Sequence, residues 1–241
     1  MGIEPVPRSL VTCFEAPAFV RAAPHMASGV AAALTRLGGA GPAGSVAALV
    51  RSIHCAVASG LGYDFSHSEP TIPFSVFLSN PVGERHAELR LAESLLHEAM
   101  HLQLTLIERE APLVGLATGS RYSPWQERPR PIQGLLHGLY VFTAIYQWVG
   151  RLAADPSLPS EERIYADRRL AEIEAEVRAV SALGSAPELT DFGRTLARAL
   201  LGGFGACGGA RVGGSATRRG SPREGSGGRH RARRGDRRKR R

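Results

Sequence analysis

Two histidines four residues apart, His97 and His101, stand in the string Ala92-Glu-Ser-Leu-Leu-His-Glu-Ala-Met-His-Leu-Gln-Leu-Thr-Leu-Ile-Glu-Arg109. In a helix, residues i and i+4 share one face a turn apart, so both imidazoles can reach one divalent ion. Glu98 between them completes the HExxH arrangement of zinc hydrolases. There a glutamate reaches water at the metal and serves as its general base.

The element that must carry these groups is a long helix over residues 84–108. Leu89, Leu91, Leu95, Leu96, Met100, Leu102, Leu104 and Ile107 surround the histidines, which is the pattern of a buried helix. Polar groups in such a setting need ligation or hydrogen bonds. The usual completions of HExxH are missing. A metzincin has Gly and His three and six residues after the second His, where this protein has Leu104 and Ile107. A gluzincin takes a Glu from a following helix. The next apolar helix, beginning near Gln133 and running over Gly134–Val149, carries no Glu but does carry His137. Three histidines would then form the site, leaving two or three positions on the metal open.

Elsewhere the pattern is mostly helical. Ala27–Leu37 and Gly44–Ala58 read as two short helices split by Gly38–Pro42, with His54 and Cys55 in the second. Thr71–Ser79 is β-prone, bracketed by Pro70 and Pro81. His67 and Glu69 before it are potential ligands, though a solvated loop is the simpler reading. Residues 111–131 form a Pro-stiffened loop with Arg121, Tyr122, Trp125, Arg128 and Arg130, the composition of a binding loop. A charged amphipathic helix spans Glu161–Leu183, and a last helix, about Leu189–Leu201, follows a Thr190 or Asp191 cap. The expected class is mainly α: a zincin-like helical domain with a short extended segment before the HExxH helix. The expected divisions are a poorly defined segment at 1–40, a metal-binding domain at 41–203 and a disordered basic tail at 204–241.

Composition bounds the function. Of 241 residues, 43% are hydrophobic, ordinary for a folded domain. The formal charge of +8 is unevenly spread. Residues 211–241 hold 13 Arg or Lys against Glu224 and Asp236, so the remainder is mildly acidic. The Gly-, Arg-, Ser- and Pro-rich tail has two readings, a basic disordered arm that binds nucleic acid non-specifically and, preferred, the product of an out-of-frame end in a GC-rich gene; no specific nucleic-acid role is assigned to it. Lys239 is the only lysine, which excludes a Schiff-base lysine in the body and leaves Arg, His or backbone amides to hold anions. Cys13, Cys55 and Cys207 are too few and too scattered for a disulfide framework. No apolar run is long enough for a membrane span, and a cytoplasmic location is expected.

His97-Glu-Ala-Met-His-Leu-Gln-Leu, Tyr122-Ser-Pro-Trp, Arg130-Pro and Gly134-Leu-Leu-His-Gly-Leu-Tyr-Val-Phe142 together resemble the HExxH domain proteins of ribosomal peptide natural-product pathways. The likeness covers about residues 60–200. Family members are often longer at the N-terminus, so a partial copy is expected. Several members are iron- and 2-oxoglutarate-dependent peptide β-hydroxylases. The resemblance implies that His97, His101 and His137 hold Fe(II), with 2-oxoglutarate and oxygen at the open positions and a precursor peptide as substrate. Imidazole suits iron as well as zinc. The distal carboxylate of 2-oxoglutarate calls for a guanidinium; Arg130 is the choice, Arg128 and Arg121 the alternatives. Trp125 and Tyr122 can wall the pocket. Glu98 would be a general base in a peptidase and an orienter or substrate contact in a hydroxylase. A zinc-dependent peptidase or amidase using Zn(II), and an inactive truncated relative, are the competing readings.

Overall fold

The helix bearing His97 and His101 is the axis on which the other elements pack. The computed structural model describes residues 2–3, 24–38, 42–56, 64–69, 72–79, 83–115 and 119–208. In sequence order these form β1 (Gly2–Ile3), α1 (Pro24–Leu37), α2 (Pro42–Leu49), β2 (Ser52–Ala56), β3 (Ser66–Ser68) and β4 (Ser75–Ser79). They continue as α3 (Ala87–Glu110), β5 (Ser120–Ser123), β6 (Arg128–Pro131), α4 (Ile132–Ala154), α5 (Ser160–Ala179), a 3-10 turn (Ser181–Ser185) and α6 (Asp191–Gly208). The protein is mainly helical with small sheets. Most of the segment at 1–40 that precedes Pro24, and all of the expected tail from 209 to 241, lie outside the described residues.

Helix α3 has Leu89, Leu91, Ala92, Leu95, Leu96, Ala99, Met100, Leu102 and Leu104 buried, so apolar neighbours enclose most of its circumference. Helix α1 packs on it with Met26, Val30, Ala33 and Leu37, spaced four, three and four residues apart along one face. That burial joins α1 to the same core as α3. Helix α4 packs on α3 from another side, and α5 covers α4 with Ala166, Leu170, Ile173 and Val177. Helix α4 ends at Ala154, ahead of Pro156 and Pro159, which cannot continue it. The Arg163 guanidinium takes up its terminal region, donating to the carbonyls of Ala153, Asp155, Pro156 and Leu158.

The first sheet has the order β1-β2-β4-β3. β1, β2 and β4 run parallel, and β3 is antiparallel to β4. All five residues of β4 are buried, which explains its continuous Val-Phe-Leu centre. The helix expected over Gly44–Ala58 is corrected: it ends at Leu49, and His54 and Cys55 lie in β2. Pairing with β4, sealed by a buried 2.8 Å hydrogen bond between the Ser52 and Ser75 hydroxyls, overrides the helical composition. The expected loop at 111–131 contains a two-stranded hairpin, β5 with β6. The last helix runs past the expected Leu201 and beyond residue 204, the expected start of a disordered tail, to Gly208. Phe204 packs on Tyr146, with ring centroids 4.7 Å apart, and this contact carries the helix through Gly202 and Gly203.

Thr190 caps α6, its hydroxyl accepting from the Gly193 N–H at 3.0 Å. That turn presses on the preceding loop so closely that a Cβ at Gly193 would lie 2.1 Å from the Leu113 carbonyl oxygen. The same oxygen accepts from the Thr190 N–H, so it cannot yield freely. Gly193→Ala should therefore destabilise the fold by about 1–3 kcal/mol, a fall of roughly 3–10 °C in Tm for a domain of this size. Differential scanning calorimetry checks this, and an unchanged Tm would refute the packing argument.

Candidate metal centre

Helices α3 and α4 face each other across a cavity of about 630 Å³. From α3 come His97, Glu98, His101, Thr105 and Glu108; from α4 come His137, Gly138 and Phe142. The β5–β6 hairpin adds Trp125, Gln126 and Arg130, and strand β3 adds Ser66, His67 and Ser68. The volume falls in the range of small-molecule sites, about 300–1,000 Å³.

The two HExxH histidines converge as their spacing predicts, with Nε2 of His97 3.1 Å from Nε2 of His101. Two nitrogens bound at about 2.0–2.1 Å to one ion stand at roughly that separation. Burial pulls the His97 imidazole down to about 4, with the Arg169 charge adding to the effect. Burial likewise takes His101 to about 3, helped by His97. Both rings are therefore neutral near pH 7, the form that ligates metal. Glu98 is buried, and its carboxylate lies 3.9 Å from His97 Nε2.

His137 joins the cluster from the other end of the His101 ring. Its Nδ1 is 3.1 Å from His101 Nδ1, and its Nε2 is 3.0 Å from a Glu108 carboxylate oxygen. That oxygen also accepts from the Gln133 amide at 3.0 Å. Burial would raise the Glu108 carboxyl, but the hydrogen bonds from His137 and Gln133 outweigh it and hold the group below its usual value. Both His137 nitrogens are thus engaged outside the gap between His97 and His101. Among the described residues, no three His, Cys, Asp or Glu residues form a set that could hold an ion. The donor chemistry fits a metal at the His97–His101 pair; His137 is beside that pair without converging on it.

The arginines separate clearly. Arg121 pairs with Glu188 at 2.9 Å, away from the cavity. Arg128 donates to Gln126 and does not line the cavity. Arg130 does line it, donates to the same Gln126 oxygen at 2.7 Å, and has no carboxylate partner among the described residues. Trp125 forms a cavity wall, whereas Tyr122 is 59% exposed. His67 faces the cavity from β3, with Glu69 3.7 Å from its ring.

Glu108 and Gln133 are not singled out by sequence reasoning. Glu108 follows His101 by seven residues and so shares its helix face, a signal that the spacing does hold. Gln133 has no such signature, because only the approach of α4 to α3 brings it there. Compared with protein-family models and with curated proteins, the sequence finds no match in either.

Trp125 stacks on Phe142 with centroids 5.3 Å apart and planes 9° from parallel. It lies so close over α4 that a Cβ at Gly138 would meet the indole at 2.4 Å. Its Nε1 is buried and faces the buried carboxylate of Glu176. Gly138→Ala should push the indole off its seat and open the cavity wall. In a Trp148→Phe background, where Trp125 is the sole tryptophan, its emission should shift to longer wavelength; an unshifted spectrum would show that the ring does not rest on Gly138.

Proposed function

We propose that this protein is a metal-dependent peptide-modifying enzyme, an Fe(II)/2-oxoglutarate-dependent β-hydroxylase acting on amino-acid side groups of a ribosomally made precursor peptide. The observation that carries the reading is the pair of neutral Nε2 atoms, 3.1 Å apart, in a cavity lined by Arg130, which has no carboxylate partner among the described residues. The zincin-like fold class is supported by a mixed sheet set before the HExxH helix and by the helix that packs on its histidine face.

His97 and His101 would hold the ion, with His137 as the third residue of the centre. With Fe(II), 2-oxoglutarate and oxygen bound, the centre would supply the oxidising power to convert an unactivated carbon–hydrogen bond of the peptide into a hydroxyl, 2-oxoglutarate leaving as succinate and carbon dioxide. Arg130 would exchange its neutral Gln126 partner for the distal carboxylate, a charge-assisted bond stronger than the one it replaces. Trp125 and Phe142 keep one side of the cavity apolar and limit the entry of water. Glu98 would contact the peptide or orient a ligand at its own helix turn.

Glu98 also favours a second reading, a zinc peptidase or amidase. A buried carboxylate 3.9 Å from a ligating nitrogen can take the proton of an attacking water. Among the described residues, no helix is long and apolar enough to cross a membrane.

Anaerobic addition of Fe(II) and 2-oxoglutarate should produce a visible charge-transfer band, and admitting oxygen should release succinate. His97→Ala and His101→Ala should each abolish both signals, and Arg130→Ala should raise the 2-oxoglutarate requirement at least ~10-fold, the loss of a charge-assisted bond. A folded, iron-loaded sample without band or succinate would sink the hydroxylase reading. Zinc-dependent cleavage of a peptide, lost in Glu98→Gln, would establish the peptidase, and silence in both assays would leave an inactive relative.

A further inference from the structure

We infer that a second lobe of the cavity, on the far side of His97 from Arg130, docks the substrate peptide and selects a cationic side chain near the residue that reaches the metal. The lobe holds about 350 Å³. Its lining combines Asp64, Arg90, Glu93, Arg169 and Glu172 with the hydroxyl-bearing Ser94 and Tyr165. Ser66 of β3, His97 of α3 and Phe142 of α4 line this lobe and the larger cavity alike, so three elements meet in a waist between the two.

The two lobes lie at opposite ends of the histidine face of α3. Arg90, His97, His101 and Glu108 follow one another at spacings of seven, four and seven residues, which keeps them on that face. Helix α4 runs past it in the opposite direction: Gln133 donates to Glu108 at 3.0 Å, whereas Phe142 meets the His97 ring with centroids 5.6 Å apart. Arg130, held over Gly134 in the first turn of α4, is therefore at the Glu108 end. With 2-oxoglutarate drawn to Arg130, the far lobe is the side left open to the peptide. Arg90 precedes His97 by about 10 Å along the helix axis, the length of about three residues of extended chain.

The charge of the lobe decides what it accepts. Three carboxylates line it against two guanidiniums, and both guanidiniums are committed. Arg90 donates to both oxygens of Asp64 and to Glu84, each at 2.7 Å. Arg169 holds Glu93 at 2.7 Å and Glu172 at 3.2 Å. An incoming anion would have to displace a carboxylate from one of these pairs; a cation displaces nothing. Arg169 reaches Glu93 through Oε1, whereas Oε2 has the Tyr165 hydroxyl at a long 3.4 Å. The Glu93 side chain is 16% exposed, so that oxygen is largely desolvated yet keeps acceptor capacity. An ammonium or guanidinium placed there gains a charge-assisted hydrogen bond. That the occupant is a peptide rests on the proposed function; the place of the lobe and its preference for a cation do not.

Titrating the full-length, metal-free protein with blocked alanine heptapeptides bearing a central lysine, norleucine or glutamate tests the inference by 1H–15N NMR. The lysine peptide should shift the amides of residues 90–97 and 165–172. It should bind about 10-fold more tightly than the norleucine peptide, the worth of one hydrogen bond to a charged group, and the glutamate peptide should bind most weakly. Glu93→Gln, which keeps an acceptor for Arg169, should remove most of the lysine preference. Glu172→Gln should do the same from the rim, where its 40% exposed side chain tolerates the change. Ser94→Phe, which narrows the lobe, should abolish the shifts while the charge-transfer band with Fe(II) and 2-oxoglutarate persists. Equal binding of the three peptides, a preference for glutamate, shifts confined to the Arg130 end, or no shift at millimolar lysine peptide each overturns the inference, whether or not succinate is formed. A lysine preference at the lobe in a protein giving neither band nor succinate upholds the inference and defeats the hydroxylase reading alone.

Discussion

Three imidazoles and two carboxylates in a patch largely removed from water form the constraint around which this protein is arranged. Each group alone would lose several kcal/mol of hydration on burial. Together they supply one another with partners: Glu108 to His137, His137 to His101, His101 to His97. The patch can exist only where α3 and α4 lie side by side, because this run of contacts passes from one helix to the other and back. Helix packing and polar satisfaction are thus a single requirement here, and a small separation of the two helices would strand buried polar atoms.

The surrounding elements keep that separation constant. Apolar packing of α1, α4 and α5 around α3 supplies the bulk of it, and a few directional bonds set the register. The buried Trp148 donates to the Arg36 carbonyl, tying α4 to the end of α1. Arg36 itself bridges Glu88 at the start of α3 and Glu162 in α5. On the other side Arg169 pairs with Glu93 at 2.7 Å while its guanidinium lies 5.4 Å from the centre of the Phe142 ring. The Arg36–Glu162 and Arg169–Glu93 pairs are partly buried and join different helices, which distinguishes them from isolated surface pairs of little energetic weight. Phe142 in turn meets the edge of His97 and the face of Trp125, so the clamp on the helices is continuous with the cavity wall.

The hairpin and the edge strand contribute differently. Neither adds much core; each brings chemistry to the rim. The hairpin suspends Arg130 over the first turn of α4, where the missing Cβ of Gly134 leaves room for the guanidinium. Gln126 holds both Arg128 and Arg130 through one amide oxygen, a neutral partner that an anion can displace. Strand β3 places two serines and His67 opposite. A rigid floor with a polar, exchangeable rim is an arrangement suited to admitting a charged small molecule.

Local spacing in the sequence determined most of the helices, the pairing of His97 with His101 and the burial of Glu98, because each depends on neighbours within a turn or two. The choice of Arg130 among three loop arginines rests on the family resemblance, and the fold commits Arg121 to Glu188. Tertiary structure alone decided the rest. Ser52–Ala56 became a strand because β4 lay ready to pair with it, against a composition that suits a helix. The final helix outlasted two glycines because Tyr146 received Phe204. Which nitrogen of His137 faces which neighbour is likewise invisible in one dimension: it follows from the approach of Glu108 across the helix interface, and hydrogen-bond direction is a property of partners in space.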